Sequence, residues 1–278
     1  MPELPEVQAL AERIEARLLG ASFTRADPLS FSGLKTVSPG PTDLAGTRLG
    51  SAGRRGKFLL LAADSLTVAV HLSQGGRVDF EERFRPGSRP RGAVARFVFD
   101  RPPALLVKEF GTERKAGWWI LASGDPGPLA RLGPEPFSEE FAALVLDGSD
   151  PGRIHALLRD QRRVAGIGRG YSDDILHRAR LSPFRSLSSL SPGERSRLLD
   201  AVRAALTDGL EVERRRTGGL PPKLGDHWIV HGRAGTPCPA CGQDLRRVSY
   251  QSHEVTYCPS CQTGGRILAD RRLSRLVK

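Results

Sequence analysis

No run of apolar residues in this 278-residue chain approaches the ~20 needed to cross a bilayer, so the sequence holds no candidate membrane helix. Its first residues, Met1-Pro2-Glu3-Leu4-Pro5-Glu6, lack a basic stretch followed by an apolar one. A secretory leader is therefore not expected, and the chain is read as cytoplasmic. No basic amphipathic helix stands out, which disfavours a membrane-surface role. No internal repeat is present. Cysteine is scarce: four residues, all within 238–261.

What is abundant is positive charge. Forty-two Lys and Arg against 31 Asp and Glu give a net charge of +11. A chain this basic commonly meets a polyanion, most often nucleic acid. An Arg-rich but merely soluble protein is the bland alternative. Hydrophobic content of 39% supports real cores, and the length fits one large domain or two.

The four cysteines form two C-x-x-C pairs, Cys238 with Cys241 and Cys258 with Cys261, separated by 16 residues. Two thiolates at this spacing hold one face of a tetrahedral Zn²⁺, and a second pair closes the shell, leaving no open position for chemistry. One structural zinc is expected. Disulfides fit a cytosolic chain poorly, and a redox dithiol leaves the doubling unexplained. Residues 246–257, between the pairs, alternate like a β-hairpin. Arg246 and Arg247, with Arg233 upstream, offer a cationic surface. His253 is a possible metal ligand by type, but four thiolates suffice, so a DNA contact or plain surface is expected.

Residues 4–18 predict an amphipathic helix. Val7, Leu10, Ile14 and Leu18 recur at spacings of three and four, Pro5 suits the first turn, and Gly20 stops the helix. From 23 to about 119 the pattern is β-rich, with short apolar runs at 58–61, 66–71, 95–99 and 104–107 punctuated by Gly, Pro, Asp and Ser. After Gly124-Asp-Pro-Gly127 helices are expected at 141–145, 154–158, 172–179 and 193–213. A glycine-rich turn, 166–170, separates two of them. Such a turn before a helix can cradle a phosphate, or simply turn. Residues 217–225 read as a loop leading to the cysteine module.

Four segments together resemble the bacterial formamidopyrimidine-DNA glycosylase/endonuclease VIII family. They are Pro2 to Val7, Gly53 to Phe58, Leu158 to Gln161 with Gly166 to Gly168 and Tyr171 to Pro183, and Val230 through Gln262. The resemblance implies an α+β multidomain fold: an N-terminal β-sandwich with a leading helix (1–128), a helical helix–two-turns–helix domain (129–226) and a C-terminal β-hairpin zinc finger (227–278). It implies a base-excision glycosylase with abasic-site lyase activity, acting as a monomer on damaged double-stranded or abasic DNA in the bacterial nucleoid; single-stranded DNA is the alternative substrate.

On that reading Pro2, once Met1 is removed, presents a secondary amine that attacks C1′ of a damaged nucleotide. An α-amino group has a pKa of about 8, and a following helix N-terminus favours its neutral form. Glu3 handles protons, Lys57 meets a phosphate or the base, and Glu6 orders the site. Read alone, the Pro2–Glu6 segment is also an ordinary helix start with acidic caps. The resemblance assigns DNA contacts to His71, Gln74, Arg114, Lys115, Gly168, Arg169 and His253.

Several of these positions depart from the family pattern. Gln74 stands where a Met wedge is expected, and Ala116 where an aromatic is. Arg169 replaces an Asn, His253 an Arg, and the 217–226 loop is short. These changes touch wedge, grip and lesion pocket, and leave the nucleophile and acid in place. A shift toward oxidised pyrimidines, abasic sites or distorted DNA is expected, since less wedging is needed there. A non-catalytic paralogue that binds damaged DNA is the competing reading. A zinc-ribbon transcription factor leaves the N-terminal segment unexplained.

Overall fold

The computed structural model describes residues 1–110, 114–250 and 253–269, apart from the side chains of Tyr250 and His253. The chain divides into two compact units, Met1–Arg131 with Leu210–Leu224, and Leu132–Gly209 with Gly225–Lys278.

The first unit opens with helix α1, Leu4–Leu18, whose Leu4, Val7, Leu10, Ala11, Ile14 and Leu18 are buried. Burying each large aliphatic side chain contributes roughly 2 kcal/mol, so this stripe fixes the helix on the sheets. Eight strands follow: β1 Phe23–Pro28, β2 Leu49–Arg55, β3 Phe58–Ala63, β4 Leu66–His71, β5 Gly76–Glu81, β6 Ala93–Phe99, β7 Ala104–Glu109 and β8 Gly117–Ala122. They make two antiparallel four-stranded sheets, ordered β1-β6-β7-β5 and β2-β3-β4-β8. Their inner faces share one core with α1, and Leu220 joins it from far along the chain. The expected sandwich is present. Four of its strands, β1, β2, β5 and β8, lie outside the apolar runs singled out in the sequence.

The second unit is helical, then a cysteine hairpin. It contains α2 Glu139–Asp147, α3 Ile154–Arg159, α4 Arg169–Arg178 and most of α5 Pro192–Arg214. Strands β9 Arg246–Tyr250 and β10 His253–Tyr257 form the predicted hairpin, and a short helix, α6 Pro259–Thr263, follows. Helix α4 starts three residues before the expected 172, at Arg169. Ser172 N–H already donates to Gly168 C=O at 3.1 Å, so Gly170 belongs to the helix and not to the turn. Its glycine identity has a packing cause: a Cβ there would lie 2.2 Å from the Trp228 ring.

Two adjacent acids on α4 bind the hairpin region to the helices. Asp174 accepts three backbone N–H groups, from Ile229 at 2.7 Å, Val230 at 2.9 Å and His231 at 3.1 Å. Asp173 accepts from Thr256 N–H at 3.0 Å and lies 2.6 Å from His231 Nδ1. Both carboxylates are buried. Gln262 adds a third tie, accepting from Cys258 N–H and donating to Leu181 C=O. Replacing Asp174 by Ala strands one buried and two partly buried donors. It is expected to destabilise the second unit by on the order of 3 kcal/mol or more, measurable as a lowered midpoint in denaturant unfolding of the zinc-loaded protein.

Candidate active site and zinc centre

Helix α1 begins where Glu3, in extended conformation, acts as its N-cap residue. The Glu6 carboxyl turns back to accept Glu3 N–H at 2.8 Å, satisfying one of the free donors of the first turn. Pro2 lies immediately before this cap and is buried with Glu3 and Glu6. The terminal amine, carried here by Met1, is held below its ordinary pKa. Burial is the main cause; Arg77 and Lys57 act in the same direction, while Glu3 and Glu6 oppose it. Those four side chains are thus the ionisable surroundings of the N-terminus.

Lys57 reaches this region from a tight turn. Arg55 pairs with Phe58, and Gly56 takes a φ of 56° at the first central position, which a two-residue hairpin turn of the II′ kind requires. Lys57 is buried, an uncommon state for a lysine. On the next strand His71 pairs in register with Phe58 and stacks on its ring at 4.8 Å. Burial, aided by the Lys57 charge, pulls the His71 imidazole down to about 4. His71 is therefore neutral at physiological pH. Any contact it makes with DNA is a hydrogen bond and not an ion pair.

Glu6 is pushed the other way, to about 8, chiefly by burial and then by the charges of Glu3 and Glu213. At neutral pH it is largely protonated, so it orders the cap without adding a full negative charge beside the amine.

Arg77 escaped the sequence reading. It follows Gly75 and Gly76 on β5 and is buried, and its guanidinium donates to the carbonyls of Gly76, Pro221 and Pro222, each at 2.7 Å. Arg13 from α1 grips the same distant segment, donating to Glu213 C=O and Gly218 C=O, each at 2.8 Å. Leu220 N–H bonds Val78 C=O at 2.8 Å, and a Cβ on Gly219 would lie 1.9 Å from that same oxygen. Residues 217–222 are a loop, as expected, and they dock as a strap along β5. An isolated Arg in an alternating strand carries no signal for this; only its partners 144 and 145 residues away reveal it.

Gln74 is exposed in the turn joining β4 to β5. Arg114 and Lys115 are exposed just before β8, whereas Ala116 is buried. The Glu109 carboxylate accepts the N–H groups of Lys115 and Ala116 at 2.9 and 3.0 Å and fixes that stem. In the second unit, Gly168 caps α4 and Arg169 is its first residue. Gln161 braces the turn before it, accepting from Gly166 N–H and donating to Ile167 C=O. The His253 side chain lies outside the described residues.

The four cysteine sulfurs lie within 4.8 Å of one another. Cys238 Sγ and Cys261 Sγ are 3.9 Å apart, and Cys241 Sγ and Cys258 Sγ 3.4 Å. Four sulfurs at about 2.3 Å from one Zn²⁺ would stand about 3.8 Å apart, so the set fits a tetrahedral zinc. Backbone N–H groups of Ala240 and Cys261 point at Cys238 Sγ and Cys258 Sγ, each at 3.4 Å. His177 Nε2, from the last turn of α4, lies 3.1 Å from Cys238 Sγ.

Two measurements follow from this geometry. A carboxyl whose folded pKa lies above its unfolded one adds stability that is complete below the unfolded value, near 4.5, and is lost as pH rises through the folded value, about 8. Glu6→Gln keeps an acceptor for Glu3 N–H and removes the titration. Its unfolding midpoint should gain on wild type between pH 5 and pH 8; a constant difference across that range contradicts the assignment. His177→Ala removes a partner of a zinc-bound sulfur and should lower zinc affinity by about tenfold or more, read by competition with a chromogenic chelator.

Comparison with known proteins agrees with this architecture. Residues 1–118 match the family model of the formamidopyrimidine-DNA glycosylase N-terminal domain, and residues 132–218 that of the formamidopyrimidine-DNA glycosylase H2TH domain. The formamidopyrimidine-DNA glycosylase of Thermus thermophilus is 35% identical over 285 residues, covering 95% of this chain and 100% of the relative. An uncharacterized formamidopyrimidine-DNA glycosylase-like protein of Mycobacterium tuberculosis is 42% identical over 163 residues, 56% of this chain and 99% of that one. The crystal structure of the Thermus thermophilus Fpg protein superposes with a TM-score of 0.79 at 32% identity, covering 94% of this chain and 98% of that one. That of the Lactococcus lactis Fpg with abasic-site DNA gives 0.80 at 23%, covering 94% and 99%. With a full-length relative at this identity and two family models spanning most of its length, the chain belongs to the formamidopyrimidine-DNA glycosylase family.

Proposed function

We propose that this protein is a base-excision DNA glycosylase and abasic-site lyase whose nucleophile is the amine of Pro2. The observation that carries this is the environment of the N-terminus: the Met1 amine is buried and held below its ordinary pKa amid Glu3, Glu6, Lys57 and Arg77, surroundings that the Pro2 amine takes over once Met1 is removed. A secondary amine that is neutral at physiological pH can attack C1′ of a damaged nucleotide and release the base, forming an iminium. Glu3 exchanges a proton with the opening sugar ring, and the iminium makes the strand labile to elimination. Lys57 offers its ammonium to a phosphate or to the departing base. Glu6 holds the Glu3 backbone in place.

In this reading residues 1–128 perform the chemistry, 129–226 grip DNA through Gly168 and Arg169, and 227–278 contribute the zinc-held hairpin with His253. His71, Gln74, Arg114 and Lys115 face the substrate, which is damaged double-stranded or abasic DNA in the bacterial nucleoid. The zinc holds the hairpin's fold and takes no part in the reaction, because four cysteines complete its shell.

The exposed Gln74 and buried Ala116 favour a second reading, binding of damaged DNA without cleavage, because neither side chain can fill the space of an extruded base. Borohydride trapping on abasic and oxidised-base duplexes separates the two. The catalytic reading expects a covalent adduct with wild type, none with a chain carrying an uncleaved extension ahead of Pro2, and about a 100-fold loss for Glu3→Gln. Binding without any adduct across the lesion panel would establish the second reading instead.

A further inference from the structure

A cleft of about 490 Å³ lies on the first unit, and of its lining residues the proposed function uses Arg114 alone. Its walls are residues 29–32, residues 89–94, Glu109, Arg114 and Ala116. These walls are held by main-chain bonds. Leu29 and Ser30 N–H both reach Val94 C=O, at 2.9 and 3.2 Å, and Glu109 N–H reaches Gly92 C=O at 2.8 Å. The cleft is thus formed before any ligand arrives.

Its chemistry is one-sided. Arg89, Arg91 and Arg114 line it, and none of the three has an ion-pair or hydrogen-bond partner among the described residues. Elsewhere the arginines are commonly engaged, as Arg17, Arg96, Arg178 and Arg214 are with carboxylates. Among the described residues, the carboxylate lining the cleft is Glu109. It is buried, and both its oxygens are taken by the Lys115 and Ala116 N–H groups. Beside the three guanidiniums stands Phe31, a ring with 105% relative exposure.

Three guanidiniums without a partner among the described residues select a polyanion. An aromatic face among them selects a polyanion that carries flat apolar groups with a free face, as an unpaired nucleic-acid strand does. In a duplex those faces are covered by neighbouring bases. The cleft also adjoins the candidate chemistry: its Arg114–Ala116 stem runs into Gly117, which pairs with His71, which in turn pairs with Phe58 next to Lys57.

We propose that this cleft binds an unpaired stretch of DNA, its phosphates on Arg89, Arg91 and Arg114 and one base stacked on Phe31. The inference rests on the glycosylase reading only in taking DNA as the ligand. It gives the enzyme a preference for lesions next to melted or single-stranded DNA.

Fluorescence anisotropy of the zinc-loaded protein with undamaged single-stranded, bubble and fully paired oligonucleotides tests it. Phe31→Ala is expected to weaken single-strand and bubble binding by about fivefold or more, the loss of one stacked base, with duplex binding changed less than twofold. The double variant Arg89→Ala/Arg91→Ala should reduce the slope of log affinity against log salt on the single strand by roughly 1 to 1.5. All three side chains lie on the surface, so unfolding midpoints should match wild type. Single-strand affinity of Phe31→Ala equal to wild type, equal losses on single strand and duplex, or an unchanged salt slope overturns the proposal. Borohydride trapping on an abasic duplex is run in parallel. Absence of an adduct alongside the expected binding pattern counts against the glycosylase reading and leaves the cleft assignment standing.

Discussion

Both units depend on one constraint: ionisable side chains taken out of water are satisfied mainly by the backbone. Glu6 receives the Glu3 N–H, Arg77 gives its hydrogens to three carbonyls, Arg13 to two, and Asp174 accepts three amides. A buried ion without such partners would destabilise the fold by several kcal/mol. Main-chain partners have a further property that an opposite charge lacks. They leave the electrostatic field of the ion uncancelled. Around the N-terminus, Arg77 and Lys57 act with burial to hold the Met1 amine below its ordinary pKa.

The fold's legibility in the sequence followed how strongly each element announces itself. Helix α1 was fully legible, because its apolar stripe, its early prolines and its terminal glycine agree. Strands β3, β4, β6 and β7 carry apolar runs and were legible too. Strands β1, β2 and β5 were not, because their sequences, such as Leu49-Gly-Ser-Ala-Gly-Arg-Arg55, hold a few core residues among Gly, Arg and Asp. Their place comes from hydrogen bonding to a partner strand, which is a tertiary fact. Gly170 shows the reverse failure. It read as a turn residue, and its smallness serves the Trp228 ring inside a helix.

Around the site, resemblance supplied Pro2, Glu3, Glu6 and Lys57, and the structure shows their common surroundings. The thiolate set was legible from spacing alone. Arg77 was not, for its role exists only through carbonyls far along the chain. His71 was legible as a position but not as a chemical state, because stacking on Phe58 and burial decide its charge. The departure at Ala116 also has a structural setting. Ala116 is buried against the sandwich core, with its N–H held by the Glu109 carboxylate.

The strap at residues 217–222 bears on how the protein is made. Leu220 fills the sandwich core, and residues 210–224 belong to the first unit, yet the whole of 132–209 is synthesised before them. At a ribosomal pace of about 5–20 residues per second, those 78 residues (209 − 131) take roughly 4 to 16 seconds. Through that interval the nascent sandwich lacks the carbonyls that satisfy Arg13 and Arg77 and the side chain that completes its core. The order of synthesis thus delays the last closure around the N-terminal amine until most of the second unit's helices have left the ribosome.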